Sequence, residues 1–181
     1  MVKRRANLTL PERGGDQLVK IVETVKMDED LQTTALDLWK LYLETGEMVD
    51  KEVAVSLVYL ASRLVNKPYP IKVIARLAGI RYNNIMKTLN KVSKKFHLRL
   101  RPLKEEDYIH YLSKNLDEEV MSKVVYNMKK LKESMKASPL VIVACSLLLS
   151  LQQCNRKYSV KEVTNLLGLA ETTIRKRCSK R

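Results

Sequence analysis

Residues 53–92 align with residues 142–181 at a constant offset of 89 and without a gap, which limits the fold more than any other property of the chain. Tyr69 falls on Tyr158, Lys72 on Lys161, Leu77 on Leu166, Gly79 on Gly168, Ile85 on Ile174 and Lys87 on Lys176. The apolar positions between them agree as well, with Ile71 on Val160, Ile74 on Val163 and Ile80 on Leu169. A unit repeated at this length predicts two copies of one domain in tandem. Each copy ends in the same basic pattern of helix, glycine turn and helix, the form of a helix-turn-helix pair.

The 181 residues suffice for two small domains, each with its own core. Five glycines and five prolines leave little room for strands and tight turns, so an all-α protein is expected, built as two tandem five-helix repeats. An extended head over residues 1–15 carries Pro11 and Gly14-Gly15, which break helices. Amphipathic periodicity then predicts helices near 16–26, 29–45, 51–66, 70–78 and 81–97 in a first repeat (16–100). In a second (101–181) it predicts them near 104–115, 117–135, 138–153, 159–167 and 171–181. Leu31, Ala35, Leu38, Trp39 and Tyr42 mark one buried stripe, and Trp39, Tyr42 and Tyr59 are read as core.

The net charge of +14 suits a polyanionic partner: nucleic acid, an acidic protein or a membrane surface. Its distribution is uneven. Residues 1–50 hold seven basic against ten acidic side chains and 101–150 eight against seven, whereas 51–100 hold eleven against one and 151–181 eight against two. The excess coincides with the two helix-turn-helix segments. The longest apolar run, Pro139 to Leu151, is about 13 residues and falls short of the roughly 20 a membrane helix needs. Cys145, Cys154 and Cys178 form no CxxC pair, and neither His97 nor His110 is spaced with them as a ligand, so no metal or other cofactor is expected. Their odd number argues against a disulfide framework, and Cys145 and Cys178, on apolar faces, are expected to be buried reduced thiols of an intracellular protein. Clustered carboxylates with histidine, a glycine-rich phosphate loop and an activated nucleophile are all lacking, so no catalytic residue is assigned and no enzyme expected.

The second helix-turn-helix reads YSVKEVTNLLGLAETTIRKRCSKR. Ser159 and Glu162 have capping-box spacing, and Gly168 can take the left-handed conformation that ends a helix. With Ile174 and Cys178 facing inward, Thr172, Arg175, Lys176 and Ser179 form an exposed stripe. A recognition helix needs such a stripe in the major groove, where a guanidinium donates two hydrogen bonds to guanine and a threonine methyl meets thymine. Arg175 is the candidate base reader, beside Thr172 and Thr173. Lys157, Lys161, Lys176, Arg177, Lys180 and Arg181 are the candidate phosphate contacts. The equivalent stripe of the first copy, Asn83, Met86, Lys87 and Asn90, carries no arginine, so the two copies are expected to differ in task.

The segments ANLTLPERGG, LQTTALDLWKLYLETGEMVDKEVAVSLVYLASR, RLRPLKEEDY and AETTIRKR, in this order, resemble the linker, first repeat, inter-repeat segment and second-repeat recognition helix of the core of archaeal transcription factor B and eukaryotic transcription factor IIB. The resemblance spans nearly the whole chain. It implies a pair of cyclin boxes that clamps the TATA-binding protein on double-stranded promoter DNA as a monomer, the second repeat reading an element beside the TATA box. RNA polymerase is a further partner in the full-length family. It implies the cytoplasm of an archaeon or an infected host, or a eukaryotic nucleus. Thr173, Ile174 and Arg175 match the family's recognition pattern, while Thr172 stands where valine is usual. Arg63 and Lys94 match basic positions facing the TATA-binding protein, with Lys67 and Lys95 beside them; Tyr82 and Asn83 stand where lysines are common. No pair of CxxC motifs for the family's zinc ribbon precedes the linker, so this core is expected to form a promoter complex without starting transcription by itself. It is either part of a longer factor or a divergent or viral relative. The competing readings are a cyclin-type interaction module that regulates a kinase or another partner, and a sigma-like factor.

Overall fold

A computed structural model describes residues 15–25 and 27–178. Among them the chain is all-helical, with ten α-helices. These are α1 (Gly15–Val25), α2 (Glu29–Glu44), α3 (Lys51–Leu64), α4 (Ile71–Leu77), α5 (Tyr82–Lys95), α6 (Ile109–Ser113), α7 (Glu118–Ser134), α8 (Pro139–Gln153), α9 (Val160–Leu167) and α10 (Glu171–Cys178). Gly15 opens α1 instead of breaking the helix, and the expected helix near 104–115 is a 3-10 turn, Glu105–Tyr108, running into the short α6. The rest of the expected extended head, residues 1–14, lies outside the described residues.

Local signals set the boundaries. Asp50 and Asp117 cap α3 and α7, each accepting the backbone N–H three residues on, at 2.7 and 2.9 Å. Proline fixes the entries of α4, with Pro70 as N-cap, and of α8, with Pro139 as its first residue. Past the ends of α3 and α8 the chain turns through Asn66 and Asn155, both with positive φ, and past α4 and α9 through Gly79 and Gly168. Both pairs are 89 residues apart.

Two helices depart from the expected amphipathic pattern because they form the centre of the packing. α3 is buried at every position from Val53 to Ser62, beneath α1, α2, α4 and α5. α8 is buried from Val141 to Leu147 and again at Ser150 and Leu151, beneath α7, α9, α10 and the 3-10 turn. A helix covered on all sides must satisfy its polar side chains internally. Ser56, Ser62, Ser146 and Ser150 therefore donate to carbonyls three or four residues back, at 2.7–2.8 Å. Asn127 on α7 donates to Ser150 Oγ and Gln153 Oε1, at 2.8 and 3.0 Å. The expected stripe of Leu31, Ala35, Leu38, Trp39 and Tyr42 is buried in α2, as is Tyr59 in α3.

One hydrophobic core runs from α1 to α10. α4 and α9 touch directly: Arg76 donates to the Asn165 side-chain and backbone oxygens at 3.2 and 2.7 Å. A second seam gathers around Asp28, the N-cap of α2, whose carboxylate meets Lys114 at 2.5 Å, His110 at 2.6 Å and Lys67 at 3.6 Å. Burial alone would raise the Asp28 carboxyl, but the hydrogen bonds from Lys114 and His110 hold it below the usual carboxylate range. No described helix is long and apolar enough to cross a membrane.

Candidate nucleic-acid interface

α9 begins in a capping box. The Glu162 backbone N–H donates to Ser159 Oγ at 3.2 Å, and Ser159 N–H donates back to the Glu162 carboxylate at 2.6 Å. The Ser159 backbone and hydroxyl together hold that carboxyl below its usual range. Gly168 ends the helix at φ +67°, where a side chain is disfavoured, and a Cβ there would lie 2.7 Å from Lys72 Cβ on α4. The orientation of α9 is thus set by close approach to α4. It is held a second time by Tyr111 of α6, whose hydroxyl donates to the Leu166 carbonyl at 2.6 Å. Tyr111 packs edge-on to Tyr69, ring centres 5.2 Å apart, and burial pushes its hydroxyl up to about 12.

α10 hangs from this support by Ile174, which is fully buried, and by its last residue, Cys178. Cys178 is disulfide-bonded to Cys145 of α8. The expectation of two reduced thiols is therefore corrected: Cys145 and Cys178, 33 residues apart, are brought together by α10 lying across α8, with Cα atoms 5.5 Å apart. Cys154, half-buried at the end of α8, is the free thiol.

The outward side of α10 presents Thr172, Arg175, Lys176 and Arg177 as exposed side chains, with Thr173 half-buried. Lys157 and Lys161, on the approach to α9 and in its first turn, are exposed as well. Arg175 is already engaged: Nε and Nη2 both donate to Glu171 Oε1, at 2.9 and 2.5 Å, one turn back. Lys157, Lys161, Lys176 and Arg177 have no ion-pair partner among the described residues. Lys180 lies outside them, as do Ser179 and Arg181.

The four cations expected to face a protein partner are spread over two regions and differ in freedom. Arg63, near the end of α3, donates to Tyr59 Oη at 3.1 Å and to the Arg101 carbonyl, its guanidinium over the Tyr59 ring. Lys67, in the loop after α3, pairs with Asp30 at 2.6 Å, and these hydrogen bonds raise its ammonium above the ordinary lysine range. Lys95, in the last turn of α5, pairs with Glu47 at 2.7 Å and lies over the Tyr42 ring. Lys94 beside it is exposed, with no such partner among the described residues. Lys67 and Lys95 thus serve internal contacts, which spacing could not reveal because their carboxylates are 37 and 48 residues away.

No family model matches the chain. It is 24% identical to transcription initiation factor IIB of Methanothrix thermoacetophila over 169 residues, covering 89% of this chain and 50% of that protein. Transcription initiation factor IIB of Methanosarcina mazei is 27% identical over 130 residues, covering 69% of this chain and 39% of that protein. Transcription initiation factor IIB 2 of Thermoplasma volcanium is 24% identical over 158 residues, 82% and 50% respectively. The sequence is transcription-factor-IIB-like. The chain spans about half the length, or less, of the curated relatives it matches. These matches and the all-helical fold bear out the likeness to the transcription factor B and IIB core.

Proposed function

We propose that the protein binds promoter DNA together with a TATA-binding protein, and that α9 and α10 read an element beside the TATA box. One observation carries the reading. In a chain similar to initiation factors, a helix-turn-helix held from two sides turns out one stripe of Thr172, Arg175 and Lys176, with Lys157, Lys161 and Arg177 exposed nearby. Arg175 exchanges Glu171 for a guanine edge, Thr172 and Thr173 meet neighbouring bases, and Lys157, Lys161, Lys176, Arg177 and Lys180 hold phosphates. The chain divides at about residue 100 into two cyclin-like repeats. The first serves as a protein clamp through Arg63 and Lys94, and Lys67 and Lys95 keep that surface in shape. The protein acts as a monomer and works with RNA polymerase.

A mobility-shift experiment tests this directly, using a TATA-box duplex, the chain, and a TATA-binding protein added singly and together. A supershift with both proteins is expected. No binding in any combination would overturn the reading in favour of a cyclin-type interaction module.

A further inference from the structure

We propose that the Cys145–Cys178 pair is a thiol–disulfide exchange site, opened by a dithiol reductant, and that its two states differ in how firmly α10 is held. Access is the first support. Cys145 is 6% exposed, but Cys178 is half-buried, and both line a surface cavity of about 250 Å³ with Leu131, Met135, Leu149 and Arg177. Leu149 and Arg177 are themselves exposed, so the cavity opens to solvent beside Cys178.

Leverage is the second. An isolated helix of eight residues is not stable, and among the described residues of α10 only Ile174 is fully buried. The cross-link to α8 is its other anchor, placed one turn beyond Ile174. Charge is the third. The Arg177 guanidinium, without an ion-pair partner among the described residues, lines the same cavity and gives it a positive charge that attracts an incoming thiolate.

The exchange balances with a dithiol alone. Its thiolate attacks Cys178 Sγ, the Cys145–Cys178 bond breaks, and Cys145 leaves as a thiolate that takes up a proton. The second thiolate of the reductant then attacks its own sulfur in the mixed disulfide and releases Cys178. Two electrons and two protons pass to the cysteines, and the reductant ends as a cyclic disulfide. Any effect on promoter binding rests on the proposed reading of α10, so the test needs a readout without DNA.

The full chain carrying Cys154→Ser is incubated with oxidised or reduced dithiothreitol, alkylated with iodoacetamide and weighed. Amide hydrogen exchange of α10 and promoter affinity are measured on the same samples. No adduct in the oxidised sample and two in the reduced one are expected, with exchange in α10 faster by about tenfold on reduction and α3 unchanged. Two adducts in both samples, no adduct after reduction of the folded chain, or equal exchange of α10 in both states would each overturn the proposal. Faster exchange with unchanged promoter affinity would leave the exchange site standing and remove α10 from DNA reading. Cys178→Ser is expected to reproduce the loosened α10 without reductant. An α10 as protected as in the oxidised chain would also overturn the proposal.

Discussion

Arg175 is not idle before it meets a ligand, since Glu171 one turn away holds its guanidinium. Exposed pairs of this spacing contribute only about 0.3–0.5 kcal/mol, so the carboxylate is displaced at small cost. Glu171→Gln is expected to raise promoter affinity about two- to fivefold, by freeing the arginine and removing a negative charge near phosphates. Arg175→Ala is expected to cost about 1–3 kcal/mol of discrimination at a single base pair while leaving the fold intact. Anisotropy titrations against a panel of single-base variants check both, and an equal loss on every sequence would assign Arg175 to phosphate. Glu47 offers a contrasting carboxylate. Lys95, Tyr42 and Lys91 hydrogen-bond it and lower it from an ordinary 4.5 to about 2. Because the folded value lies below the unfolded one, its contribution is complete above pH 4.5 and disappears as pH falls towards 2. The difference in melting temperature between the wild type and Glu47→Gln is accordingly expected to be largest near neutrality and to close across that window.

The turns after α4 and α9 look alike from the sequence and differ in what surrounds them. Gly79 and Gly168 share a left-handed φ, +66° and +67°, but a Cβ on Gly79 would find only the tip of Lys51, at 4.0 Å. On Gly168 it would strike Lys72 Cβ at 2.7 Å and crowd the Val73 backbone at 3.2 Å. Gly79→Ala is expected to cost about 1–2 kcal/mol for backbone conformation alone, and Gly168→Ala about 2–5 kcal/mol, because the contact with α4 is overpacked too. Urea denaturation of the two variants measures the difference. The pair also shows what could be read before the structure was known. The glycine turns and the Ser159 capping box are local chemistry, so helix positions followed from the sequence. The positive-φ Asn66 and Asn155 carried the same offset and were missed, although asparagine is one of the few side chains that tolerates that conformation. The Cys145–Cys178 bond and the Lys67 and Lys95 ion pairs depend on how distant segments pack, and odd cysteine number or residue spacing carried no sign of them.

Many of this protein's cations are used internally, which changes how its +14 charge should be counted. On the candidate interface Lys157, Lys161, Lys176 and Arg177 remain open to phosphates. If each meets one, log affinity against log salt is expected to have a slope of about −3.6, and a salt titration with a slope near zero would exclude DNA as the partner. The Asp28 seam has the opposite character, because two lysines and a histidine from distant segments meet one carboxylate there. Substitutions at Lys67, His110 and Lys114 should therefore be buffered against one another: loss of any one leaves two partners on the carboxylate, whereas Asp28→Asn weakens the contacts of all three at once. In a double-mutant cycle these positions will be epistatic, and the three partners are each expected to tolerate replacement better than position 28.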